Sequence, residues 1–135
     1  MATEKILVDT SAFYALASSS DEFHPKARLQ YQLLVDGAAE LYTSSYVFTE
    51  AAALMHRRLG YPILESFVGS IRDTIRIVWA TKRTHWEAWD FLKQRSGRGL
   101  SFVDCTTVVI ARSLDAKVFG FDEGFASEGL VIIPR

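Results

Sequence analysis

Four acids, Asp9, Glu50, Asp104 and Asp122, are the residues of this 135-residue chain whose types and spacing could do chemistry. Carboxylates drawn together repel, and two of them ~4 Å apart cost roughly 4 kcal/mol at an effective dielectric of about 20. Protonation or a divalent cation relieves that repulsion. A donor set of carboxylate oxygens, with no histidine or cysteine at ligand spacing, suits Mg2+ or Mn2+ rather than Zn2+. Such an ion accepts phosphate oxygens readily, so the favoured chemistry is phosphodiester hydrolysis by a metal-activated water.

Each acid also has a purely structural use. Asp9 can cap the helix that follows it. Glu50 can be a solvated helix residue. Ser101-Phe102-Val103-Asp104 matches a capping box with Asp in place of Glu. Asp122-Glu123-Gly124 can be an ordinary turn. Taken singly they are unremarkable; their joint placement depends on the elements that carry them.

Lys5 to Val8 is a short apolar run with a β-branched bias, the pattern of a strand buried on both faces. Asp9-Thr10-Ser11 supplies cap-type residues before a helix through Ala17, and His24-Pro25 opens a second helix that Gly37 closes. Leu41-Tyr42-Thr43 predicts a strand, then Ser44-Ser45 a helix to about Leu59, and Tyr61-Pro62 another to about Arg72. Ile75 to Ala80 reads as a strand, and Thr84 to Arg95 as a helix with Trp86, Trp89 and Leu92 on one face. After the Gly97-Arg98-Gly99 break come a helix from Ser101 to Leu114 and strands at Val118–Phe121 and Leu130–Ile133. Strands alternating with helices predict a parallel sheet with helices on both faces. Sites in such sheets gather at the carboxyl ends of the strands, the edge where helices also begin. All four acids fall on that edge.

Composition bounds the rest. The length fits one domain over residues 1–135, and 49% apolar residues are ample for a continuous core. Fifteen Lys plus Arg against sixteen Asp plus Glu give a net charge of −1, so any nucleic-acid contact depends on a local basic path. A single cysteine, Cys105, suits a reducing compartment and reads as a buried thiol. With no targeting segment evident and no apolar run of membrane-spanning length, a cytoplasmic location without membrane attachment is expected.

The sequence resembles the PIN domain, in particular the small ribonuclease toxins of VapBC-type toxin–antitoxin pairs. The resemblance runs nearly end to end. It is carried by Leu7-Val8-Asp9-Thr10-Ser11-Ala12, Thr43 to Glu50, Leu100-Ser101-Phe102-Val103-Asp104-Cys105 and Val118 to Phe125. It implies a three-layer α/β/α fold around a mostly parallel sheet of about five strands, and metal-dependent endonucleolytic cleavage of RNA. By position it implies Asp9 and Asp104 as principal metal ligands, Asp122 completing the site directly or through water, and Glu50 in the same pocket. Thr10, Ser11 and Ser101 would support the carboxylates or touch the scissile phosphate. A homodimer and a cognate antitoxin are the partners implied. One departure stands out: the family often has Thr or Ser two residues before its last aspartate, where this chain has Gly120.

Lys93, Arg95 and Arg98 lead into Ser101 and are the preferred phosphate contacts, ahead of Arg57-Arg58 and Lys82-Arg83. Tryptophans three apart on a helix more often fill a core or interface than stack bases. Surplus apolar residues at Phe13, Tyr14 and Leu16 and along Pro25–Val35 suggest an antitoxin or self-association face. The competing reading is a non-catalytic RNA- or protein-binding module of the same fold. An aspartyl-phosphate phosphatase with Asp9 as nucleophile would need an acid two residues on, where Ser11 stands.

Overall fold

A computed structural model describes residues 3–135. Five strands, β1 (Lys5–Val8), β2 (Glu40–Ser44), β3 (Arg76–Val78), β4 (Lys117–Phe119) and β5 (Ile132–Ile133), pair in the order β3-β2-β1-β4-β5. Every pairing is parallel, so the expected mostly parallel sheet is wholly parallel. Six helices cover it: α1 (Thr10–Ala17), α2 (His24–Asp36), α3 (Ser45–Leu59), α4 (Tyr61–Thr74), α5 (Lys82–Gln94) and α6 (Phe102–Leu114).

The alternation of side chains along each strand divides the core into two halves. Ile6, Val8 and Phe119 face one side and pack with Phe13 and Ala15 of α1, Ala27 and Leu34 of α2, Val47 and Met55 of α3 and Ile71 of α4. Leu7 and Val118 face the other and pack with Ala88 and Phe91 of α5 and Val108 and Ile110 of α6. Both faces of β1 are therefore apolar and buried, which is why its sequence reads as an unbroken hydrophobic run.

Three strands are shorter than their apolar runs predict, and in two cases a serine hydroxyl accounts for it. The Phe121 amide donates to Ser11 Oγ (2.9 Å) and the Ala80 amide to Ser45 Oγ (2.8 Å), so neither stays in the sheet ladder. β4 therefore ends at Phe119 instead of Phe121, and Asp122 lies beyond a short connector. β3 spans Arg76–Val78 rather than Ile75–Ala80, and β5 only Ile132–Ile133. After Asp122 the chain makes a 3-10 helix, Glu123–Glu128, which the turn residues did not announce.

The tryptophans do not fill the core. The buried face of α5 is Ala88 and Phe91, while Trp86 and Trp89 point the other way and are 59% and 46% exposed. Among the described residues no helix is long and apolar enough to cross a membrane.

Candidate active site

Asp9 is the last residue before α1 and its N-cap. Its amide donates to Phe119 O (2.9 Å), fixing the residue at the junction of β1 and β4. Oδ2 accepts from the Ser11 hydroxyl (3.0 Å) and, less closely, from the Ser11 amide (3.4 Å). Oδ1 is buried and has no hydrogen-bond partner. Burial, with the nearby charge of Asp104 adding to it, raises the Asp9 carboxyl from its ordinary 3.8 to about 7, against the Ser11 hydrogen bonds that pull it down.

Asp104 closes the capping box of α6: Oδ2 accepts from the Ser101 amide (3.0 Å) while Ser101 Oγ accepts from the Asp104 amide (3.1 Å). Its carboxyl is also raised, first by burial and then by the charges of Asp122 and Glu50. Asp122 caps the 3-10 helix through Oδ1, which accepts from the Gly124 amide (2.9 Å). Glu50 stands on the exposed part of α3, one turn before Leu54. The structural uses read from the sequence are thus real for three of the acids, and each leaves a second carboxylate oxygen outside the cap.

A cavity of about 400 Å3 is lined by Asp9, Glu50, Asp104 and Asp122 together, with Thr10 and Ser11 also in its wall. Ser101 is exposed and is not one of the lining residues; it holds Asp104 instead. Arg95 and Arg98 are not part of it. The Arg95 guanidinium forms two hydrogen bonds to Glu128 (2.8 and 2.7 Å) and stacks 3.5 Å from the Phe91 ring centroid, so its charge is spent locally. Sequence reasoning missed Asp21, a fifth carboxylate in the wall, and the apolar Phe23 and Phe121 whose stacked rings (4.5 Å) hold its loop in place. The Asp21 Oδ1 that accepts from the Phe23 amide is a local turn bond, a signal Asp-x-Phe does not advertise. Also missed was Thr43, whose buried hydroxyl donates to Val8 O (2.9 Å) directly behind Asp9.

A basic group beside this wall is Arg58, whose guanidinium lies 5.8 Å from the centroid of the Tyr14 ring, itself in the wall. Gly120 has a packing reason. A Cβ there would fall 3.1 Å from both Asp9 Cβ and Ser11 Oγ, so the hydroxyl beside Asp9 comes from Ser11 instead.

Among the described residues no three His, Cys, Asp or Glu side chains are grouped as a ready-made ion cage. Three of these acids turn one oxygen to a local hydrogen bond. Still, the residues fit a hard divalent ion. Asp9 Oδ1 and Thr10 Oγ1 are buried oxygens without partners, and the acids are all-oxygen donors. A second groove, more enclosed and apolar, lies between α1, α2 and α4. It contains no carboxylate, cation or histidine, so the chemistry belongs to the acidic cavity.

A wholly parallel five-stranded sheet with clustered acids at its carboxyl edge defines a nuclease-like α/β class. Within it, the chain belongs to the PIN domain family, which matches residues 6–128. It is 28% identical over 128 residues to the 23S rRNA-specific endonuclease VapC20 of Mycobacterium tuberculosis, covering 93% of this chain and 95% of that protein. The crystal structure of that protein, described as a sarcin–ricin loop cleaving toxin, superposes with a TM-score of 0.81 at 27% identity, covering 93% of this chain and 96% of the other. VapBC2 from Rickettsia felis, bound to a DNA fragment from its promoter, shares the fold at a TM-score of 0.72 and 14% identity, over 95% and 96% of the two chains.

Proposed function

We propose that this chain is a Mg2+- or Mn2+-dependent endoribonuclease and the toxin of a toxin–antitoxin pair. The observation that carries the reading is Asp9 Oδ1, a buried carboxylate oxygen without a partner, on a residue that lines a cavity with four further acids, Asp21, Glu50, Asp104 and Asp122. An unpaired buried acid is costly, and a divalent cation is the partner that compensates it. Asp9 and Asp104 would hold the ion, with Glu50 and Asp122 binding it directly or through water. A bound ion would supply positive charge against the phosphodiester and lower the pKa of a water.

The protein's own groups set up the reaction. Ser11 fixes the Asp9 carboxylate in orientation, and Ser101 does the same for Asp104. Glu50, exposed and not bound to a helix cap, is the acid best placed to take a proton from an attacking water. Arg58 is the candidate phosphate contact on the Tyr14 side. Arg95 is not proposed in that role, since Glu128 holds it.

The VapC20 relative makes a sarcin–ricin loop RNA the first substrate to try. Cleavage is expected with Mg2+ or Mn2+, lost in chelator, and nearly eliminated by Asp104→Asn. Asparagine keeps an oxygen for the Ser101 amide, so the cap and the fold should survive, as circular dichroism would report. Undiminished cleavage in chelator would reject the metal mechanism.

The partner proposals rest on the other face. Leu29, Leu33 and Val35 of α2 are exposed, and they suit a homodimer contact or an antitoxin segment. The resemblance to VapBC2 supports the antitoxin, whose gene would be sought beside this one.

A further inference from the structure

Away from the acids, α5 carries an outward stripe that packing does not explain. Lys82, Trp86, Trp89 and Lys93 follow at intervals of four, three and four, which on a helix is a single face, and it lies opposite the buried Ala88 and Phe91. All four are exposed. An outward tryptophan flanked by lysines buries nothing of its own core.

The amino end of this stripe packs against the starts of the two helices that carry Glu50 and Asp104. His85 packs edge-on against Trp86 (ring centroids 5.5 Å) and Phe102 (4.9 Å), and its Nδ1 lies 3.1 Å from the Tyr46 hydroxyl. Tyr46 in turn meets Phe102 edge-on at 6.2 Å. Tyr46 precedes Glu50 by one turn of α3, and Phe102 precedes Asp104 by two residues at the start of α6. Trp79, 69% exposed, sits at the carboxyl end of β3, and the next residue is clipped to Ser45 beside Tyr46. Rings from α3, α5 and α6 therefore form one aromatic cluster beside the starts of the helices that carry Glu50 and Asp104, and Trp79 follows β3 next to it.

We propose that Tyr46, His85, Trp86 and Phe102, extended by Trp79, form a stacking ledge for the unpaired bases of a single-stranded RNA segment whose phosphate enters the acidic cavity. The proposal rests on the nuclease reading above and names the form of substrate it takes. The chemistry favours RNA in an unpaired state. A cavity of acids repels the phosphate backbone, so affinity must come from groups beside it. π-faces flanked by cations bind bases of any sequence, but only bases free of a duplex stack. Lys82, one turn before Trp86, is placed to meet the backbone of a strand lying across the rings.

The test uses the whole chain and a fluorescein-labelled single-stranded RNA of about 12 nucleotides and mixed sequence, a length covering the cavity and the ledge. Fluorescence anisotropy in chelator reads binding without cleavage. Trp86→Ala, at an exposed position, is expected to weaken binding about tenfold, as loss of one stacked base does. Trp86→Phe should recover most of it, while Trp86→Leu, apolar but without a π-face, should not. In cleavage assays with Mn2+ the loss should appear in KM rather than kcat. Binding of the same sequence as a duplex should be indifferent to the substitution.

Unchanged single-strand affinity in both Trp86→Ala and Trp86→Leu overturns the ledge, and so does an absence of binding by the unsubstituted chain. A change of sedimentation in Trp86→Ala with RNA affinity intact also overturns it, in favour of a protein contact. If the unsubstituted chain binds RNA through Trp86 yet cleaves none with Mg2+ or Mn2+, the ledge stands and the nuclease reading falls. Cleavage that is indifferent to Trp86 reverses those two conclusions.

Discussion

At the scale of single residues, Asp9 carries the central tension of the molecule. Its carboxyl is raised to about 7 because burial and Asp104 both disfavour the charged form. The folded chain therefore binds more protons than the unfolded one between about pH 4 and 7. By linkage, this group's favourable contribution is complete below the unfolded value of 3.8 and is lost as pH rises through about 7. In chelator, stability should thus fall across that window. Asp9→Asn removes the charge and the titration with it. The melting temperature of the variant relative to the unsubstituted chain should climb from pH 5 to pH 8, even as RNA cleavage disappears. A difference that stays flat with pH would show that Asp9 is not the buried acid described.

At the scale of elements, one hydroxyl ties three of them. Ser11, in the first turn of α1, donates to Asp9 at the end of β1 and accepts from Phe121 beyond β4. Ser11→Ala breaks both bonds and leaves a part-buried amide without its partner, at a cost of about 1–3 kcal/mol by urea unfolding. Because the Ser11 bonds lower the Asp9 carboxyl, their loss raises it further. The acidic limb of the pH–rate profile should move to higher pH, with Ser11→Thr retaining part of both effects. A stability loss with no movement of the profile would reduce Ser11 to a structural role. The same logic explains the strand ends, where Ser11 and Ser45 take amides that the apolar pattern had given to the sheet.

At the scale of the whole molecule, the proposed ion site at the sheet edge would link ion uptake to global stability. An ion that binds only the folded chain stabilises it by about 2.7 kcal/mol at a concentration a hundredfold above its Kd. For a chain of this size that is a rise on the order of 10 °C in melting temperature. Mn2+ should produce such a rise at pH 8, less of it at pH 6 where protons compete for Asp9, and none in Asp9→Asn. Equal rises in all three would place the ion elsewhere. The net charge of −1 gives no general pull on RNA, so recognition falls to local surfaces.

Much of this was written in the chain. Lys5–Val8 could only be an internal strand, because an apolar run of that length without alternation needs cover on both faces. From that and the alternating helices followed the parallel sheet, its active edge and the gathering of Asp9, Glu50, Asp104 and Asp122, since strand ends and helix starts share an edge whatever the loops do. Other features depend on contacts between residues far apart in sequence, which no local pattern encodes. Tertiary structure alone gave Arg95 to Glu128, thirty-three residues away, instead of to a phosphate. It alone brought Asp21 into the wall, put Thr43 behind Asp9, and turned Trp86 outward to solvent. Periodicity showed that Trp86 and Trp89 share a helical face; only the packing of α5 on α6 decided that the face belongs to solvent.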